Sequence, residues 1–129
     1  MASVHLDTHV VVWLYVAGEA LDLLSAVARE RIEAAERLLV SPMVLLELTL
    51  LEETGRIRAN AHEIVLSLGQ NLGLELAPEP FSQVVSEGTR LTWTRDPFDR
   101  LIAAQAVLAG LDLVTRDRQI RRNLPTAIW

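Results

Sequence analysis

The 129-residue chain contains no cysteine and no lysine. Without a thiol there is no disulfide scaffold, no zinc-thiolate site and no cysteine nucleophile, and the composition agrees with a reducing cytoplasm. All 12 basic residues are arginine, which excludes any active site built around a lysine. The three histidines, His5, His9 and His62, are scattered and form no zinc-ligand pattern. No basic segment leads into an apolar run at the N-terminus, and no apolar run approaches the roughly 20 residues that a membrane-spanning helix needs. A soluble cytoplasmic protein without membrane association is expected.

Half of the residues are apolar and 22% are charged, a balance that suits one compact domain over residues 1–129. At this length roughly two thirds of the unfolded chain's surface can be buried, enough for one core without covalent staples. The net charge of −5 argues against coating nucleic acid through bulk positive charge. Its distribution is uneven. Residues 1–89 carry 5 Arg against 13 Asp and Glu, a net of −8, whereas residues 90–129 carry 7 Arg against 4 Asp, a net of +3. The basic C-terminal third is a candidate phosphate-contacting surface, with a solvated helix face as the alternative.

Val4-His5-Leu6 reads as a short strand ending on Asp7, after which Val10, Val11, Trp13 and Leu14 follow helical spacing. Apolar residues recur at three and four from Leu21 to about Leu39, predicting one amphipathic helix. Leu38-Leu39-Val40 reads as a buried strand, Ser41 as an N-cap and Pro42 as the first residue of a helix stopping at Gly55. Further helices are expected over Asn60–Leu72, Phe81 to about Leu91, Asp96–Gly110 and Asp117–Arg122. Strands are expected at Leu74–Ala77, Leu113–Thr115 and Thr126–Trp129. Strands alternating with helices, with no hairpin dipeptide between them, imply an α/β fold: a central parallel sheet of about four or five strands flanked by helices in three layers. Ligands in such sheets bind beyond the carboxyl ends of the strands, where Asp7 and Asp117 are placed.

Glu47 has Met43, Val44, Leu50 and Leu51 as its helical neighbours, so it lies along an apolar face. A carboxylate there must be protonated, paired with an arginine or bound to a cation, because burying it bare costs several kcal/mol. Glu52 and Glu53, by contrast, suit a solvated helix end. Asp96 before Pro97 is an ideal helix start and needs no chemistry to explain it. Asp99, one turn further and beside Leu101-Ile102-Ala103-Ala104, is less well explained as a cap, and Asp117 can be read as an N-cap for Arg118–Arg122. His9 is read as a packing or helix-start residue.

Taken together, Leu6-Asp7-Thr8-His9-Val10, Glu47 after the Ser41-Pro42 helix start, Arg95-Asp-Pro-Phe-Asp-Arg-Leu-Ile-Ala-Ala-Gln-Ala106 and Leu113-Val-Thr-Arg-Asp117 resemble a known family. The chain is similar over essentially its whole length to PIN domains, above all to the VapC-type toxin ribonucleases of toxin-antitoxin pairs. The resemblance implies a three-layer PIN-like fold and puts Asp7, Glu47, Asp99 and Asp117 on the family's acidic quartet, as catalytic residues and ligands of Mg²⁺ or Mn²⁺. Asp96 is a possible further ligand, and Thr8 and Thr115 fall on supporting hydroxyl positions. It implies an endoribonuclease leaving a 5′ phosphate and a 3′ hydroxyl, a homodimer, and a VapB-like antitoxin whose helix lies in an apolar groove.

Hard oxygen-liganded cations suit four carboxylates, and they orient and acidify water for phosphodiester hydrolysis without a covalent nucleophile. Carboxylates repel RNA, so arginines must supply the approach. Arg95, Arg100, Arg116 and Arg118, with Arg121 and Arg122, lie near motif acids in sequence and are candidate RNA contacts or plain surface charges. Receiver domains and haloacid-dehalogenase phosphatases need a lysine that this chain lacks. The alternative function is a PIN-fold RNA- or protein-binding module that does not cleave; it would gain if Glu47 and Asp99 faced away from Asp7 or an internal arginine neutralised the cluster.

Overall fold

The computed structural model describes residues 3–129. Five strands form one parallel sheet: β1 (Val4–Leu6), β2 (Leu38–Val40), β3 (Glu75–Leu76), β4 (Asp112–Val114) and β5 (Ala127–Ile128), in the order β3-β2-β1-β4-β5. Among the described residues seven α-helices connect and cover them: α1 (Thr8–Val16), α2 (Ala26–Ala34), α3 (Pro42–Glu53), α4 (Ala61–Leu72), α5 (Phe81–Gly88), α6 (Pro97–Ala109) and α7 (Arg118–Asn123). The expected three-layer α/β architecture is the one observed.

The strands are short; β1 and β2 are buried throughout and β4 at Leu113 and Val114, as central parallel strands must be, while the edge strand β3 is exposed and β5 partly so. Val4, Leu6, Val40, Leu113 and Val114 are fully buried. Along α6 the run from Ile102 to Ala106 is buried without a break, which places this helix through the middle of the core rather than on its surface. Each fully buried Ile or Leu stabilises by about 1.5–3 kcal/mol, so the Ile102, Leu113 and Ile120 contacts are a large part of what holds α6, β4 and α7 together.

Helix starts follow the capping chemistry written in the sequence. Side chains of Asp7, Ser25, Ser41, Asn60, Asp96 and Asp117 each accept from a backbone N–H in the first turn. Gly73 and Gly110 end α4 and α6 at φ of 72° and 69°, a conformation that costs a side-chain-bearing residue but not glycine.

The helix expected over Leu21–Leu39 is not continuous. Gly18–Leu23 is a 3₁₀ segment, Ser25 caps a new helix by accepting from the Ala28 N–H at 3.0 Å, and the chain becomes extended at Ala35 before entering β2. Leu24, Ala28 and Ile32 keep a helical spacing across the break, which concealed it. Two smaller differences are that α5 ends at Gly88 rather than near Leu91, and β3 pairs over only Glu75–Leu76. Among the described residues no helix is long and apolar enough to cross a membrane.

Strand β1 pairs with β2 on one side and β4 on the other, so chain order reverses around it. The loops after β1 and β4 therefore diverge and leave a crevice at their carboxyl ends. Asp7 follows β1 directly, and Thr115 and Asp117 follow β4.

Candidate active site

Asp7 stands where β1 becomes α1, and its buried carboxylate is held from two directions. Oδ1 accepts from the Thr8 N–H at 2.8 Å, and Oδ2 accepts from the Thr115 hydroxyl at 2.6 Å. The same Thr115 oxygen accepts from the Asp117 N–H at 3.0 Å, while Asp117 Oδ1 caps α7 by accepting from the Ile120 N–H at 2.9 Å. One buried hydroxyl thus ties the Asp7 carboxylate to the backbone of Asp117, from a distant part of the chain.

Glu47 enters from α3, half-buried, and its Oε1 accepts from the Thr8 hydroxyl. Burial pushes its carboxyl above the ordinary range; the Thr8 hydrogen bond acts against that shift, and the Asp7 and Asp96 carboxylates add to it. Asp96 is exposed and caps α6, accepting from the N–H groups of Phe98 at 2.8 Å and Asp99 at 3.2 Å. Asp99, in the first turn of α6, is pushed up to about 7 by burial first and then by the neighbouring carboxylates of Asp96, Asp7, Asp117 and Glu47. All five acids line one cleft of about 460 Å³.

No ion pair among the described residues joins an arginine to any of these acids. The pairing expected as an alternative for Glu47 is absent there, and its partner is the Thr8 hydroxyl. The arginines proposed for RNA are placed differently from one another. Arg116 is exposed beside the cleft, next to Asp117. Arg95 and Arg118 are exposed but do not line it. Arg100 does not line it either: its Nε donates to the Gly88 carbonyl at 2.9 Å and ties α6 to the end of α5.

Two cleft residues were not anticipated in that role. Arg56 lines the cleft, delivered by the turn after α3; nothing local in the sequence marks it. His9 lines the cleft with Nδ1 3.7 Å from Asp7 Oδ2, and its Nε2 accepts from the Arg116 N–H at 2.9 Å. Because Nε2 is an acceptor, the neutral ring carries its proton on Nδ1, facing Asp7. Burial lowers the His9 pKa, and Asp7 and Asp117 oppose that shift. Its place one turn before Trp13 on α1 was the available clue.

The donor set is all oxygen, which suits a hard divalent cation. In the side-chain positions seen here, no three of the described acids converge on one point as metal ligands. Mg²⁺ takes one or two carboxylates directly and reaches others through water, so Asp7, already held in place, could serve as a direct ligand with the other acids acting through water.

The model of the PIN domain family matches residues 4–123. The chain belongs to the PIN domain family. It is 33% identical over 135 residues to ribonuclease VapC22 of Mycobacterium tuberculosis (strain ATCC 25618 / H37Rv), covering 100% of both chains. Among solved structures, this PIN domain is similar to a chain in the crystal structure of VapBC2 from Rickettsia felis bound to a DNA fragment from their promoter. The TM-score is 0.65 and the identity 16%, over 98% of this chain and 97% of that one. It is similar also to a chain in DNA-bound VapBC from Salmonella typhimurium, with TM-score 0.62 and 20% identity over 100% and 98% of the two chains. These structural likenesses concern the fold. The matched segment contains Asp7, Glu47, Asp96, Asp99 and Asp117.

Proposed function

We propose that this PIN domain is an endoribonuclease acting with Mg²⁺ or Mn²⁺, and the toxin of a toxin-antitoxin pair. The observation that carries this reading is the convergence of Asp7, Glu47, Asp99 and Asp117, from four separate segments, on one cleft in which, among the described residues, no arginine is ion-paired to them. Such a cluster is electrostatically unfavourable by itself, and its carboxylates add to the burial that pushes the Asp99 carboxyl up to about 7. When bound, a divalent cation supplies the Lewis acidity and positive charge needed by a phosphodiester lying across the cleft. Asp7, restrained by Thr8 and Thr115, provides the most rigid ligand position, and Glu47 is oriented towards it by the Thr8 hydroxyl. Asp99 and Asp117 line the same cleft and would hold the cation or its water. Arg56 in the cleft and Arg116 in the neighbouring cavity offset the repulsion between the acids and the RNA backbone.

The antitoxin partner is proposed to be VapB-like, since the solved neighbours are VapBC assemblies. A groove of about 350 Å³ lined by Leu14, Leu21, Leu24, Ile32 and Leu72 has the apolar character that an amphipathic antitoxin helix would use. A homodimer is the oligomeric state proposed for the toxin.

The test is cleavage of a structured-RNA panel by purified, antitoxin-free protein with Mg²⁺, with Mn²⁺ and with EDTA, alongside Asp7→Asn and Asp99→Asn. Cutting that requires the metal and is lost in both variants is the expected result. A folded, Mg²⁺-loaded protein that cuts nothing across the panel overturns the nuclease reading.

A further inference from the structure

Beside the acidic cleft opens a second cavity of about 320 Å³, lined by His9, Trp13, Arg116 and Asp117. Three of these, His9, Trp13 and Asp117, also line the cleft, so the two spaces are neighbours. The chain has only 3 Trp, 1 Tyr and 2 Phe, yet two of the tryptophans meet here. Ring centroids of Trp13 and Trp129 are 5.9 Å apart, His9 lies 5.0 Å from Trp13 and 6.3 Å from Trp129, and the Arg116 guanidinium carbon is 5.9 Å from the Trp13 centroid.

Packing explains part of this corner. Trp13 and Trp129 lean on the core from one side. It does not explain why a tryptophan ring borders open space next to five carboxylates, nor why an exposed arginine with no carboxylate partner among the described residues is fixed over it. The fixing is direct, because His9 Nε2 accepts from the Arg116 N–H and so holds the start of that side chain against the aromatic cluster. A half-buried tryptophan ring that borders open space, with a guanidinium beside it, is an arrangement that can take an unstacked base and its phosphate.

We propose that this corner is a base-stacking subsite: an unpaired nucleobase next to the scissile phosphate of RNA lies against Trp13, flanked by Trp129, while Arg116 contacts the adjoining phosphate. The proposal rests on the ribonuclease reading for its substrate class. Stacking supplies affinity that does not depend on charge, which a carboxylate-lined site needs. Only a splayed, single-stranded nucleotide can present its face there, so paired regions would be excluded and the cut directed to loops or bulges.

The experiment measures binding separately from cutting. Fluorescence anisotropy would follow a labelled single-stranded RNA on the Asp99→Asn protein with Mg²⁺, with one abasic nucleotide moved stepwise along the RNA. One position is expected at which losing the base weakens binding about 5- to 100-fold. That position effect should vanish in Trp13→Ala and shrink in Trp129→Ala, and survive in Trp13→Phe, which keeps a ring. Circular dichroism checks the fold, and if Trp13→Ala does not fold, Trp129→Ala and Trp13→Phe still decide. A flat abasic scan, an abasic effect unchanged in the folded Trp13→Ala and Trp129→Ala proteins, or no RNA binding at all overturns the subsite. Metal-dependent cutting by the unmodified protein together with a flat scan removes the subsite and leaves the nuclease. A positional abasic effect without cutting supports the subsite and removes the nuclease.

Discussion

The Thr115 hydroxyl donates to Asp7 Oδ2 at 2.6 Å, joining residues 108 positions apart in the chain. The contact exists because β1 and β4 are parallel neighbours, with Leu6 in register with Val114, so the residues that follow each strand meet at the same edge of the sheet. Thr115 also receives the Asp117 N–H, and one oxygen therefore links both strand ends to the acidic cluster.

Thr115→Val keeps the shape and removes that oxygen. The Asp117 N–H loses its acceptor and Asp7 loses a donor, so a stability loss of about 1–3 kcal/mol is expected in urea unfolding. RNA cleavage should fall on the order of tenfold to a hundredfold, because the carboxylates are no longer held in position. Thr115→Ser should retain most of both. Unchanged stability and cleavage in Thr115→Val would refute the role.

The stability of the metal-free protein should fall as pH rises through the interval from 3.8 to about 7, owing to Asp99. The folded pKa lies above the unfolded one, so over that interval the folded state retains a proton that the unfolded state has released, and the difference is lost by the time both are ionised. Glu47, raised in the same direction, adds to the slope. Thermal melts of wild type and Asp99→Asn in EDTA from pH 4 to 8 test this: the variant should gain on wild type as pH rises, and parallel curves would contradict it.

Divalent cation should oppose the same repulsion. Binding to the folded state alone raises stability by about 2.7 kcal/mol at a hundred times Kd, so Mg²⁺ or Mn²⁺ should raise the Tm by several degrees at neutral pH. Asp7→Asn should lose most of this increment. An equal increment in wild type and Asp7→Asn would place the cation elsewhere.

His5 is fully buried in the central strand, and neither ring nitrogen has a hydrogen-bond partner among the described residues. Burial lowers its pKa to about 4, with Glu79 opposing the shift. The folded state therefore holds a neutral ring, and stability should decline as pH falls from 6.5 towards 4, where the unfolded chain takes up the proton first. His5→Leu removes both unsatisfied nitrogens and should stabilise by about 1 kcal/mol, with that part of the acid slope gone. A destabilised His5→Leu protein with the slope intact would show that the ring has a partner in solution.

Several acids were legible from sequence because they also do local work. Asp7, Asp96 and Asp117 stand at helix starts, and capping chemistry is readable from adjacent residues. Glu47 was legible for the opposite reason, as a carboxylate on an otherwise apolar helical face. Arg100 was not, since a phosphate contact and a hydrogen bond to the Gly88 carbonyl look alike in a string of letters. The break at Ser25 was hidden because Leu24, Ala28 and Ile32 hold helical spacing on either side of it.

Alternation of strands and helices, the capping residues and the order of the acidic motifs follow from interactions within a few residues, and these specify the parallel α/β class and the PIN likeness. The Thr8 to Glu47 and Thr115 to Asp7 hydrogen bonds, the entry of Arg56 into the cleft and the meeting of Trp129 with Trp13 depend on which strands pair and how helices pack across the sheet. Those contacts are decided by burial and register summed over the whole core, a quantity that no local stretch of sequence carries.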